Sequence, residues 1–207
     1  MTGGGTRRLG VDLDNTLACY GAAFHAVATE MGLATPDAPS DKTGLRDHLR
    51  AAHGNTAWTR VQGRVYGPRM TLATPCPGAL DALARLRAAG WRLMVVSHRT
   101  ALSQDGAGHD LHGAARAWLR VSGVMDAAAL DAGAVFLETT RGAKAARIAA
   151  LLPDAFVDDL PELFAEPGFP AGVRRVLYDP HGRHPDAPAD ARVHTWTQAA
   201  ALLDAGS

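Results

Sequence analysis

Two aspartates, Asp12 and Asp14 in Val11-Asp12-Leu13-Asp14-Asn15-Thr16, end the first apolar run of the chain. Carboxylates at this spacing can divide the labour of phosphoryl transfer. One attacks phosphorus, while the other protonates the departing oxygen and then activates water. Carboxylates repel a phosphate dianion, so this chemistry wants a divalent cation with hard oxygen ligands. Mg²⁺ takes one or two carboxylates together with substrate oxygens and waters. Asp12 and Asp158 suit that cation. Charge on the non-bridging oxygens wants a hydroxyl and a positive group. Ser97, after the apolar run Trp91 to Val96, offers the hydroxyl. Lys144, near the start of a helical stretch, offers the positive group. Arg99 could hold phosphate or a second anionic group, with His98 beside it.

The elements that must position these groups can be read from periodicity. Arg8 to Leu13 reads as a short buried strand, and the Gly-rich residues 1–6 before it are expected to fray. Leu17 to about Met31 carries a helical pattern. Asp41 or Ser40 could cap a helix to about Ala52, and Asn55 or Thr56 another to about Tyr66. From Pro77 the texture becomes an alternation. Helices are expected at Gly78–Ala89, His109–Arg120 and Thr140–Leu151, with strands at Trp91–Val96, Ala134–Leu137, Ala155–Val157 and Val173–Tyr178. A short strand at Arg192–His194 and a helix capped by Thr195 close the chain. Strands alternating with helices imply an α/β fold, a doubly wound parallel sheet. Ligands of such sheets lie beyond the carboxyl ends of the strands. Asp12, Asp14, Ser97, Asp158 and Asp159 all fall at that edge. The expected division is a core of residues 1–16 and 75–207 with an all-helical cap over 17–74.

These motifs resemble those of the haloacid dehalogenase-like (HAD) superfamily. Asp12-Leu13-Asp14-Asn15-Thr16 is similar to its first motif, Asp-x-Asp-x-Thr. Val95-Val96-Ser97 is similar to the second, Lys144 to the third, and Phe156-Val157-Asp158-Asp159 to the fourth. The resemblance spans about residues 8–178. It implies a Rossmann-like core with a helical cap between the first two motifs, and an aspartyl-phosphate formed on Asp12. It makes Asp14 the general acid and base, with its backbone carbonyl on Mg²⁺. Thr16 would brace the turn, and Ser97 and Lys144 would hold the phosphoryl group. Asp158 would bind the metal, and Asp159 would hold a metal-bound water or orient Lys144. Two departures are visible: a short spacing between Lys144 and Asp158, and no Gly before Asp158.

Asp14 sets the reaction class that this resemblance implies. Members that cleave carbon–halogen bonds lack an acid at this place, because halide leaves without a proton. The expectation is a phosphatase acting on a small phosphorylated metabolite. Transfer to another acceptor, as in a mutase, is the alternative, and a non-catalytic phosphate-binding module is a weaker one. A phosphonate-cleaving branch uses a cap lysine. Lys42 is the sole cap lysine, and its place at a loop–helix junction reads as a solvated surface residue. Arg60 and Arg64, one helical turn apart, could clamp an anion together.

Composition bounds the partners. Lys+Arg and Asp+Glu are 21 each, so no net positive field attracts a nucleic acid backbone. No apolar run reaches the roughly 20 residues that span a bilayer, and no signal-like apolar region follows Arg7-Arg8. Two cysteines, Cys19 and Cys76, could form one bridge, but a disulfide framework would use more. Reduced thiols and a cytoplasmic monomer or homodimer are the expectation. His109, His112, His181 and His184 lack metal-ligand spacing.

Overall fold

The computed structural model describes residues 6–205. Residues 1–5, expected to fray, lie outside them. The chain forms β1 (Arg8–Val11), β2 (Ala18–Cys19), α1 (Gly21–Glu30), α2 (Lys42–Tyr66), β3 (Thr74–Pro75), α3 (Ala79–Ala88) and β4 (Arg92–His98). There follow α4 (Leu111–Val121), α5 (Val124–Ala128), β5 (Val135–Glu138), α6 (Arg141–Leu151), β6 (Ala155–Asp158), α7 (Pro161–Phe164), β7 (Arg174–Tyr178), β8 (Ala191–Val193) and α8 (Trp196–Asp204). Two compact units result. Among the described residues, one comprises 6–17, 75–99 and 122–205, and the other 18–74 and 100–121.

The first unit is a six-stranded sheet in the order β5-β4-β1-β6-β7-β8. Every pairing in it is parallel. Parallel strands need crossovers, and helices supply them except between β7 and β8, which a loop joins. β1 lies between β4 and β6, so the chain winds outward from β1 first one way and then the other. That reversal opens a crevice at the carboxyl ends of β1, β4 and β6. Gly10 has a packing role here. A Cβ on it would lie 2.4 Å from the Phe156 ring, so glycine leaves room for that ring where β1 meets β6. Phe156 belongs to an apolar cluster with Val96, Ala145, Ile148, Leu163 and Leu177, which ties α6 and α7 to the sheet.

The second unit packs α1 against α2, and α4 against α2. Its core includes Phe24 stacked on Trp58 with ring centroids 5.0 Å apart. Asp41 caps α2 by accepting from the backbone N–H groups of Thr43 and Gly44. The two helices expected between 41 and 66 are both present as the two halves of α2, which meet at a kink at Gly54, whose φ of 79° is non-helical. Segment 100–121 joins this unit, a grouping not expected from sequence. The Trp118 indole donates to the Ala73 carbonyl at 2.9 Å, and the Asp105 carboxylate packs against Gly63 where a Cβ would collide.

Two expectations are corrected. Lys42 is not a solvated residue: it is half-buried, donates to the Tyr66 hydroxyl at 2.8 Å and lies 5.3 Å over the Phe24 ring. The break at Gly54 lets the two ends of α2, 24 positions apart, meet; a straight helix would hold them roughly 36 Å apart. The two cysteines are not reduced thiols but are joined as a disulfide.

Candidate active site

The site grows from the end of β1. The Asp12 N–H donates to the Val157 carbonyl at 2.9 Å, which extends the β1–β6 ladder by one residue and sets Asp12 level with the end of β6. Val11 pairs with Val95 on one side and Val157 on the other, so the residues that follow in β4 and β6 come to the same edge. Leu13, fully buried, anchors the chain between the two aspartates. Asn15 then turns back with φ 58°, a left-handed conformation that asparagine tolerates. The Leu17 N–H donates to the Leu13 carbonyl at 3.0 Å and closes the turn.

Lys144 arrives from the first turns of α6. Thr140 caps that helix by accepting from the Ala143 N–H at 3.0 Å. The Lys144 ammonium is buried and donates to Asp12 Oδ1 and Asp158 Oδ2, each at 2.5 Å. Asp158 is fully buried at the end of β6, and its Oδ1 accepts the Leu160 N–H at 2.9 Å. One cation therefore ties two buried carboxylates, and each group offsets the desolvation of the others. Burial pushes the Asp12 carboxyl up to about 7, aided by the charges of Asp158 and Asp14 and opposed by Lys144. Burial opposes the charge on Lys144, but Asp12 and Asp158 outweigh it and raise its pKa.

Asp12, Asp158 and Asp159 each offer a carboxylate oxygen, and these atoms lie within 4.8 Å of one another. An all-oxygen donor set of this size fits a hard divalent cation rather than a thiophilic one. Among the described residues no histidine joins such a group. Asp14, expected to offer its backbone carbonyl, lies in the same loop as Asp12. Its side chain is engaged by Arg99, whose buried guanidinium donates to Asp14 Oδ1. Ser97 is 1% exposed, and its Oγ has no hydrogen-bond partner among the described residues. A buried orphan hydroxyl at a strand end wants a ligand oxygen. Thr16 is buried, and its hydroxyl donates to Asp159 Oδ1 at a long 3.4 Å.

The edge of the sheet thus gathers Asp12, Asp14, Thr16, Ser97, Arg99, Lys144, Asp158 and Asp159. His98 is exposed at the end of β4. Arg60 and Arg64 are exposed on α2, in the other unit. Arg141 and Arg147, which flank Lys144 in sequence, pair with Glu166 and Glu138. Sequence reasoning missed Trp196. Its fully buried indole donates to the Thr16 carbonyl at 2.9 Å and so holds the turn after the aspartates. The available signal was general: a buried tryptophan N–H finds an acceptor.

No protein-family model and no curated protein sequence matches the chain. Solved structures do. A HAD-superfamily hydrolase of subfamily IA from Geobacter sulfurreducens is 18% identical with a TM-score of 0.60, over 97% of this chain and 98% of that one. A HAD family hydrolase from Deinococcus radiodurans, with bound phosphate and sodium, is 18% identical with a TM-score of 0.55, over 97% and 96%. A HAD-hydrolase from Bacillus subtilis, bound to magnesium, is 13% identical with a TM-score of 0.57, over 95% and 98%. Dehalogenases also occur among the similar structures. At these identities the likeness speaks for the architecture, and the chain is built on the haloacid dehalogenase-like α/β fold.

Proposed function

We propose that the chain is a Mg²⁺-dependent phosphomonoester hydrolase of the HAD superfamily, acting on a small phosphorylated metabolite through an aspartyl-phosphate on Asp12. The observation that carries this reading is the buried Asp12–Lys144–Asp158 cluster with a second carboxylate, Asp14, two residues from Asp12. Mg²⁺, when bound by Asp12, Asp158 and Asp159 with the Asp14 carbonyl, would neutralise charge between the phosphate and the attacking carboxylate. Asp12 then attacks phosphorus, and the bond from phosphorus to the ester oxygen breaks. Asp14 gives its proton to that oxygen and later takes one from the attacking water. The water oxygen bonds to phosphorus, the bond to Asp12 breaks, and inorganic phosphate leaves. Lys144 and the Ser97 hydroxyl hold the non-bridging oxygens.

Asp14 favours this reading over dehalogenation, since a departing halide needs no proton. The similar structures with bound phosphate and with bound magnesium support it as properties of those proteins. The deciding experiment is a panel of small phosphate esters, followed by ³¹P NMR, for wild type and Asp12→Asn. Inorganic phosphate released by wild type and lost in the variant is expected. Wild-type turnover in the variant removes Asp12 as nucleophile, and a phosphorylated second product in place of inorganic phosphate indicates transfer instead.

A further inference from the structure

We propose that Arg99 is a positioning residue for Asp14: its guanidinium fixes the carboxylate that carries protons to and from the reacting oxygens. The inference rests on the phosphatase reading above. Arg99 lies one residue beyond β4 and two beyond Ser97. Its backbone N–H donates to the Glu138 carbonyl at 2.7 Å, which anchors the root of the side chain to the end of β5. Its side chain is 3% exposed and pairs with Asp14, whose side chain keeps 22% exposure. A guanidinium withdrawn from water needs an anion, and its planar fork restricts the directions from which a carboxylate can approach.

Two cations thus divide the carboxylates of the site. Lys144 serves Asp12 and Asp158, and Arg99 serves Asp14. Asp14 lies in a tight turn beside the left-handed Asn15, so its backbone is set by the turn and its carboxylate by Arg99. Loss of that hold leaves the nucleophile in place and loosens the proton donor. Misplacement on the ångström scale costs on the order of 100-fold in rate.

The test compares p-nitrophenyl phosphate with phenyl phosphate, two esters of similar size. The nitrophenolate is the weaker base and departs with little help from a proton, whereas the phenolate needs more. Wild type, Arg99→Gln, Arg99→Lys and Asp14→Asn are assayed with both esters at saturating Mg²⁺. In Arg99→Gln, kcat for phenyl phosphate should fall about 100-fold and for p-nitrophenyl phosphate less than about 10-fold. Asp14→Asn should show the same split, and Arg99→Lys should restore part of it. The ratio of the two rates in one sample does not depend on how much enzyme is folded. Equal losses for the two esters, or no loss, overturn the role of Arg99 alone. Wild-type release of phosphate from neither ester overturns the phosphatase reading and this role with it.

Discussion

The indole Nε1 of Trp196 donates to the backbone carbonyl of Thr16 across 2.9 Å, joining residues 180 positions apart. Both residues are fully buried. The last helix of the chain thereby holds the turn that follows its first strand. Trp196→Phe keeps an aromatic ring in the site and removes the donor, leaving a buried carbonyl unpaired. We expect a loss of about 1–3 kcal/mol in urea unfolding. A fall in kcat should accompany it, because Thr16 also meets Asp159. Unchanged stability would show that the contact contributes nothing net.

The Asp12, Asp158 and Asp159 oxygens should make stability depend on divalent cation. A ligand bound at about 100 times its Kd stabilises by about 2.7 kcal/mol. For a chain of this size that raises Tm by roughly 5–10 °C. MgCl₂ should produce that rise, EDTA should reverse it, and NaCl at equal ionic strength should not reproduce it. Asp158→Asn should abolish the response. Retention of the full Mg²⁺ shift in that variant would place the cation elsewhere.

The Cys19–Cys76 disulfide closes a long loop, which the chain-entropy account values at about 4 kcal/mol through the unfolded state. Thermal melts with and without dithiothreitol should therefore differ, with the reduced protein lower. The double variant Cys19→Ser, Cys76→Ser should melt like reduced wild type and be indifferent to the reductant. Thiol labelling of the untreated, denatured wild type at either cysteine would contradict the bond.

Asp179 should contribute to acid sensitivity. Burial opposes its charge, but the backbone N–H groups of His184 and Arg183, each at 2.9 Å, outweigh burial and hold its carboxyl below the usual range. A folded pKa below the unfolded one means that the unfolded chain binds more protons between the two values. The stabilisation is then fully present above about pH 4 and is lost as pH falls through the folded pKa. Asp179→Asn should be less stable than wild type at pH 7 by about 1–3 kcal/mol. The gap should narrow below about pH 4 in denaturant titrations at stepped pH. A gap that stays constant with pH would remove this carboxylate from the acid response.

Much of the site was legible because its signals are local. Asp12 and Asp14 end an apolar run, Asp158 and Asp159 end another, and Thr140 and Thr195 cap helices as their sequence suggests. A period-two or period-3.6 pattern with a turn residue at its end needs only a dozen neighbours to be read. The alternation of such runs was enough to expect a parallel sheet, and the sheet places those ends at one edge. The partners of charged groups were not legible in this way. Arg99 reads from sequence as a phosphate ligand, and only the neighbouring ends of β1 and β4 show that it meets Asp14.

The same division runs through the whole protein. Local patterning alone dictates which residue types end which strands, because strand and helix periodicity and capping are properties of neighbouring residues. It therefore determined the nucleophile candidate and the carboxylates around it. Tertiary structure decided what each charge faces: Lys144 between Asp12 and Asp158, Arg99 on Asp14, Trp196 on Thr16 and Cys19 on Cys76. These pairs join distant parts of the chain. Their geometry follows from strand order and helix packing, which no local pattern encodes.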